Sequence, residues 1–310
     1  MGRSSRKGRP IHGWLSLDKP QGMTSTAAVG LVRRVTRAAK VGHGGTLDPL
    51  ATGVLPIALG EATKTVDYIM SGRKHYRFTA RLGEARNTDD SEGEVTATSA
   101  HRPTTAEIER ALPAFVGTTL QIPPCFAAIK VAGERAYELA RRGEAVTLAA
   151  RPVEVERLAL LERPDADHVT LELVCGRGTY VRALVRDLGA CLGCHGHVTA
   201  LRRLRVGPFC AESAITPAVL AQLAEDDALH QALMPVPAAL REMPALPLTG
   251  PQAERLRAGQ KIRVAANLVI GEPSEDGTVR AMAAGEMVAL ARLQGGQLSP
   301  VRVFNLSSEL

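Results

Sequence analysis

Residues 42–53, Gly-His-Gly-Gly-Thr-Leu-Asp-Pro-Leu-Ala-Thr-Gly, place four glycines and a proline around a single carboxylate. Glycine opens backbone conformations that other residues avoid, and proline fixes φ and removes a donor, so this stretch reads as a loop rather than a regular element. The rest of the chain must fold as elements on either side of a segment that presents Asp48. Loops on a rigid scaffold commonly display reactive groups, yet aspartate also caps turns, and on composition alone both readings stand. A phosphate-cradling P-loop is excluded, because the Gly-Lys-Ser/Thr ending is missing.

Upstream, residues 14–17 read as a short strand ending in the turn Asp18-Lys19-Pro20-Gln21-Gly22. Thr24 or Ser25 then caps a helix in which Ala28, Leu31, Val32, Val35 and Ala39 share one face, while Arg33, Arg34 and Arg37 lie off it. Downstream, residues 54–59 form a strand, 62–70 a short helix and 76–82 a half-buried strand, with an acidic turn over 89–93. Residues 103–115 predict a capped helix, 121–124 an extended segment that cannot lie mid-sheet, 137–142 a short helix and 169–175 a strand. A helix follows Tyr180, with Val181, Leu184, Val185, Leu188 and Leu192 on one face.

These signals alternate irregularly, without the even βα rhythm of a doubly wound sheet, so the expected class is α+β with a mixed, largely antiparallel sheet. Residues from about 235 to 250, rich in Pro, Ala and Leu, read as a linker, followed by one short helix and a few short strands. The expected organisation is a basic tail (1–10), a main domain (11–235), a linker (236–246) and a small C-terminal β-rich domain (247–310).

The chain has 310 residues, 45% hydrophobic and 23% charged, which excludes wholesale disorder, and no run of about 18 apolar residues could span a bilayer. Its net charge is +6, but residues 1–40 hold nine Lys and Arg against Asp18, a local +8, so the remainder sums to −2. Such a block is either a solvated tail and helix face or the footprint of a polyanion. The tail lacks the apolar core of a secretory signal, and five cysteines, an odd number, suit a reducing cytosol, so a cytoplasmic location is expected. Cys191-x-x-Cys194-His195-x-His197 has metal-ligand residue types. Cys191, however, falls on the apolar face of a predicted helix, and no second half follows at finger-like spacing, so no metal is expected.

Residues 42–53 resemble the catalytic loop of the TruB family of pseudouridine synthases, which make pseudouridine at position 55 in the T arm of tRNA, and Asp48 falls on the family's nucleophile. The resemblance continues through Leu17-Asp18-Lys19-Pro20-Gln21-Gly22-Met23-Thr24-Ser25, Leu55-Pro56-Ile57-Ala58-Leu59-Gly60-Glu61-Ala62-Thr63-Lys64 and Lys74-His75-Tyr76. It extends to Pro123-Pro124 with Ala128-Ile129-Lys130, to Gly178-Thr179-Tyr180-Val181-Arg182 and to His197-Val198-Thr199-Ala200-Leu201-Arg202-Arg203. Together these motifs run in order over residues 13–207.

The reaction detaches uracil from C1′ at N1 and rejoins it through C5, with no net redox change or hydrolysis, so the resemblance implies no cofactor. It implies catalytic roles for Asp48 as nucleophile or sugar-side base, Tyr76 stacked on the uracil, Arg182 paired with Asp48, and Tyr180 beside it. His43 would fill the space left by a flipped-out uridine, Lys19, Thr46 and Leu201 would shape the pocket, and Lys64, Lys130, Arg202, Arg203 and Arg205 would meet phosphates. Residues 124–151 resemble a flexible RNA-binding flap of bacterial members, with Ala127 in place of the usual serine, and residues 247–310 resemble a PUA RNA-binding domain. The implied partner is the tRNA T arm, bound by a monomer without a membrane or an obligate protein partner. A guide-dependent rRNA synthase and a non-catalytic tRNA chaperone are the alternatives.

Overall fold

Alternating apolar and polar residues in the strand His168–Cys175 put Val169, Leu171, Leu173 and Cys175 on one buried face. Lys74–Leu82 repeats the pattern with Tyr76, Phe78, Ala80 and Leu82. The computed structural model, which describes residues 8–306 apart from 128, 132, 145 and 273–275, places both strands inside a ten-stranded sheet. Its order is Leu233–Met234, Gly13–Lys19, Thr52–Leu59, Gly196–Val206, Lys74–Leu82, His168–Cys175, Arg151–Glu162 and Gly117–Gln121. Val41–His43 pairs with Thr52–Leu59, and Phe209–Cys210 with Gly196–Val206. Every pairing is antiparallel except one: Thr52–Leu59 and Gly196–Val206 run parallel, through Arg202↔Thr52 and Arg203↔Gly53. The mixed α+β class is thereby established. Gly117–Gln121 lies at the sheet edge, where the prolines that follow cost no ladder bond.

Thr24 is the N-cap of the helix Ser25–Thr36, its hydroxyl accepting from Ala27 N at 3.0 Å. The helix Val181–Cys191 buries Val181, Leu184, Val185 and Leu188 in the main core. Among the described residues no helix is long and apolar enough to cross a membrane.

Three expectations change. The glycine-rich segment is not irregular throughout: strands take both of its ends, at Val41–His43 and from Thr52 onward. Glycine permits this at Gly53, whose φ is +99° and where a Cβ would lie only 2.2 Å from the Arg203 carbonyl oxygen. Second, the stretch read as a linker is packed. Val236–Leu240 forms a 3-10 turn whose Val236, Ala239 and Leu240 are buried, and Ala245–Pro247 adds a parallel strand to the second sheet. Its Pro- and Ala-rich composition gives short apolar turns, which a periodicity search passes over. Third, Arg9 is not part of a free tail, since its backbone accepts from Ala39 N and donates to Arg37 O; Arg3, Arg6 and Lys7 lie outside the described residues.

The second sheet runs Ala245–Pro247, Thr278–Ala283, Glu286–Gln294, Gln297–Val303 and Ile262–Arg263. Trp14, fully buried with its ring 5.4 Å from Phe209, joins it to the first sheet in one apolar cluster with Leu240, Met287, Leu290 and Phe304. Trp14→Ala should lower unfolding stability by about 3–5 kcal/mol, as truncation of a buried tryptophan does. Urea titration followed by circular dichroism measures this, and a loss below about 1 kcal/mol would show that the cluster does not join the two sheets.

Candidate active site

Strand register builds the floor of the site. Lys19 pairs with Gly53, Gly53 with Arg203, Arg203 with Tyr76, and Tyr76 with Leu173. Directly paired residues share a sheet face, so Lys19, Arg203 and Tyr76 form one row with a gap at Gly53. The Arg203 guanidinium reaches the loop that carries Asp48. Its Nε donates to Val54 O (2.8 Å), Nη2 to Gly45 O (3.0 Å) and Nη1 to Thr46 O (3.2 Å). Lys19, also buried, donates from Nζ to Met23 O (2.7 Å), Pro20 O (3.0 Å) and Pro49 O (3.4 Å). Ser25 Oγ accepts from Leu47 N (2.8 Å) and donates to Leu47 O (2.9 Å). The backbone at 45, 46, 47 and 49 is therefore tied down, and Asp48 stands between these ties.

Arg182, the second residue of the helix Val181–Cys191, meets Asp48 from the opposite side, with Nε 2.9 Å from Oδ2. That contact lacks hydrogen-bond direction, and charge holds it. Nη1 donates to Thr88 O (3.0 Å) and lies 3.6 Å from Asp90 Oδ2, while Nη2 donates to Phe126 O (3.1 Å). The Asp48 side chain keeps 32% of its exposure against 5% for Arg182, so the carboxylate is the member of the pair that a substrate can reach. Tyr180 is held by Gln121, a buried amide that accepts from Tyr180 N (2.8 Å) and donates to Tyr180 O (3.2 Å).

Burial dominates the local electrostatics. It pushes the Lys19 ammonium down from 10.5 to about 8, with Asp48 opposing the shift and Arg203 adding to it. Burial raises the phenols of Tyr76 and Tyr180 above their ordinary value, and nearby Asp48 adds to both shifts. It also raises Glu92, with Asp90 and Asp48 adding to the shift, so a second carboxylate faces the same centre. His43 is half-buried at the end of Val41–His43, its Nδ1 has no hydrogen-bond partner, and burial lowers its basicity. Leu201 is buried, and its carbonyl accepts from Thr52 Oγ1 (3.4 Å). Thr46 is exposed.

Several residues expected at phosphates lie elsewhere. Arg203 is buried beneath the loop, because the unpaired loop carbonyls attract a guanidinium more strongly than the surface requires one. Lys64 pairs with Glu61 at 2.6 Å, donates to Val303 O at 2.8 Å and sits over the Phe304 ring, where it fastens the second sheet to the first. Arg202 makes a two-pronged contact with Asp18, at 3.0 and 2.9 Å. Arg205 is exposed, with Nε on Gly207 O. Lys130 begins the short strand Lys130–Val131, and its side chain lies outside the described residues. The Cys/His motif does not converge: Cys191 is exposed, Cys194 buried, and His197 Nδ1 lies 3.0 Å from Glu84 O. Among the described residues no three such groups come together as metal ligands. The ties made by Ser25, Gln121 and Asp90 are not read from the sequence, since each acts across more than 20 residues; Ser25 stands there only as a cap candidate at the end of a motif, and Asp90 only in the acidic turn.

Comparison with known proteins points the same way. Residues 33–181 match the N-terminal domain of the TruB family pseudouridylate synthases, and residues 182–241 the C-terminal domain of tRNA pseudouridylate synthase B. The chain is 55% identical over 307 residues to tRNA pseudouridine synthase B of Cereibacter sphaeroides, covering 99% of this chain and 100% of that protein. It is 53% identical over 306 residues to the enzyme of that name from Caulobacter vibrioides, covering 97% and 99%. The chain in a crystal structure of a Cbf5-Nop10-Gar1 complex superposes with a TM-score of 0.74 at 26% identity, covering 94% of this chain and 84% of that one. Fold and site together define a pseudouridine synthase. The chain belongs to the TruB family.

Ser25→Ala should leave both Leu47 backbone groups without their buried partner, costing about 1–3 kcal/mol, and should lower kcat more than it raises KM. An unchanged kcat would show that the Ser25 tie does not set the position of Asp48. Folded Lys19 loses its proton near 8 and unfolded lysine near 10.5. Its burial therefore opposes folding below about 8, and this opposition fades as the pH rises to 10.5. The 13Cε resonance of Lys19, assigned with Lys19→Met, should titrate with a midpoint near 8. A midpoint near 10.5 would contradict its burial.

Proposed function

We propose that this protein isomerises uridine to pseudouridine at position 55 in the T loop of tRNA. The observation that carries this reading is the half-buried Asp48 carboxylate, on a loop fixed by Arg203, Lys19 and Ser25 and 2.9 Å from a buried Arg182. The target uridine leaves the T loop and enters this site, because a base within a folded arm is out of reach of a protein carboxylate. The N1–C1′ bond breaks, the detached uracil turns and C5 joins C1′; C5 gives a proton to solvent and N1 takes one up, so the product is an isomer of the substrate. Asp48 acts as nucleophile or as sugar-side base, and Arg182 orients it. Tyr76 lies under the uracil and relays the C5 proton through its phenol, with Tyr180 and Leu201 bounding the base. His43 fills the space that the flipped uridine leaves.

Electrons and atoms balance without a redox partner, so these side chains suffice and no cofactor is required. Residues 124–151 close over the RNA as a flap, and 247–310 form a PUA-like RNA-binding domain. The enzyme works as a monomer in the cytoplasm without an obligate protein partner. A guide-dependent synthase and a non-catalytic chaperone are less supported: the relatives at 53–55% identity are named for tRNA, and the Asp48–Arg182 pair is intact. Asp48→Asn should retain tRNA binding and abolish tritium release from tRNA labelled at uridine C5. Release at the wild-type rate would remove Asp48 from the mechanism, and no release by the wild type from a bare T-arm transcript would favour the guide-dependent alternative.

A further inference from the structure

The helix Ser25–Thr36 has its first turn at the active site, where Ser25 holds Leu47. Its far end carries a group of cations that the site does not use. Arg33, Arg34, Arg37 and Lys40 are all exposed, and the helix has no acidic residue in its first turn to balance them. None of the four is in an ion pair among the described residues. Arg9 is brought to the same end by its backbone bonds to Arg37 and Ala39, and its only ion pair there is an exposed contact with Asp227 at 3.8 Å. One or two cations would complement the helix C-terminus. Five at one end repel one another, and the fold alone gives no reason to tolerate this. Position supplies one. Arg33 Nη2 lies 3.5 Å from Val41 O, two residues before His43, so the group begins beside the strand that leads into the catalytic loop. At about 1.5 Å per residue, Arg33, Arg34 and Arg37 lie roughly 12–18 Å along the helix from Ser25.

We propose that this helix end is a second RNA-binding surface, which takes the phosphates of the substrate tRNA beyond the target loop; the proposal rests on the tRNA function proposed above. The test combines Arg34→Gln, Lys40→Gln and Arg37→Asn, asparagine being chosen because Arg37 has a φ of +57° and asparagine tolerates that conformation. Filter binding of full-length tRNA over a salt series should show affinity reduced by about tenfold or more, and a slope of log K against log salt shallower by roughly 2–3, at about 0.7–0.9 per lost phosphate contact. In turnover the loss should appear in KM. Unchanged affinity and slope would overturn the proposal. Where the triple variant fails to fold, Lys40→Gln alone, outside the helix, should remove about one unit of slope or less, and no change would again overturn it. A wild-type protein that binds tRNA with this salt dependence but forms no pseudouridine would leave the surface standing and remove the proposed function instead.

Discussion

The site depends on one buried guanidinium. Arg203 lies at the parallel junction of the sheet, beside Gly53, and donates to the carbonyls of Gly45 and Thr46 before Asp48 and of Val54 after it. A segment with four glycines, two of them in the loop between its strand ends, is costly to hold in one conformation, because glycine loses more freedom on folding than any other residue. Three charge-assisted bonds from one rigid fork offset that cost where it arises. The glycine at 53 answers to the backbone of the same strand: a Cβ there would lie 2.2 Å from the Arg203 carbonyl oxygen.

The same interaction fixes the sheet topology around the site. A parallel step between Thr52–Leu59 and Gly196–Val206 is needed for the chain to leave the loop and run alongside Arg203. With that step in place, antiparallel pairing carries the row on to Tyr76 in one direction and to Lys19 in the other. Arg182 arrives separately, from the helix that packs across the sheet, and its ties to Thr88 and Phe126 connect the acidic turn and the root of the 124–151 segment to Asp48. Register therefore sets the floor of the site, and helix packing sets its wall.

Much of this was legible in the sequence. The strands over 169–175 and 76–82 and the two amphipathic helices are read from periodicity, because burial on one face forces it. Asp48, Tyr76 and Arg182 are singled out by the family motifs they fall on, and the structure brings Arg182 to Asp48. What the sequence does not disclose is direction. Arg202 and Arg203 are adjacent and identical, yet strand alternation sends one to Asp18 and the other into the core. Lys64 looks like a surface lysine until the C-terminal segment folds against it. Gln121 and Ser25 replace missing backbone partners at long range, and such roles depend on tertiary position rather than on neighbours in sequence.

Two tiers of positive charge follow. Lys19, Arg182 and Arg203 are desolvated, so their field at the loop that carries Asp48 is little screened by salt. The cations at the end of the first helix are exposed and fully screened at distances beyond about 10 Å. A neutral scaffold could hold the loop equally still, since hydrogen bonds to its carbonyls need no charge. Charge adds a fixed potential beneath the carboxylate that does not vary with the solution around the RNA. The burial of Lys19 and Arg203 thus trades folding stability for a site whose geometry is insensitive to the ionic strength of the solution.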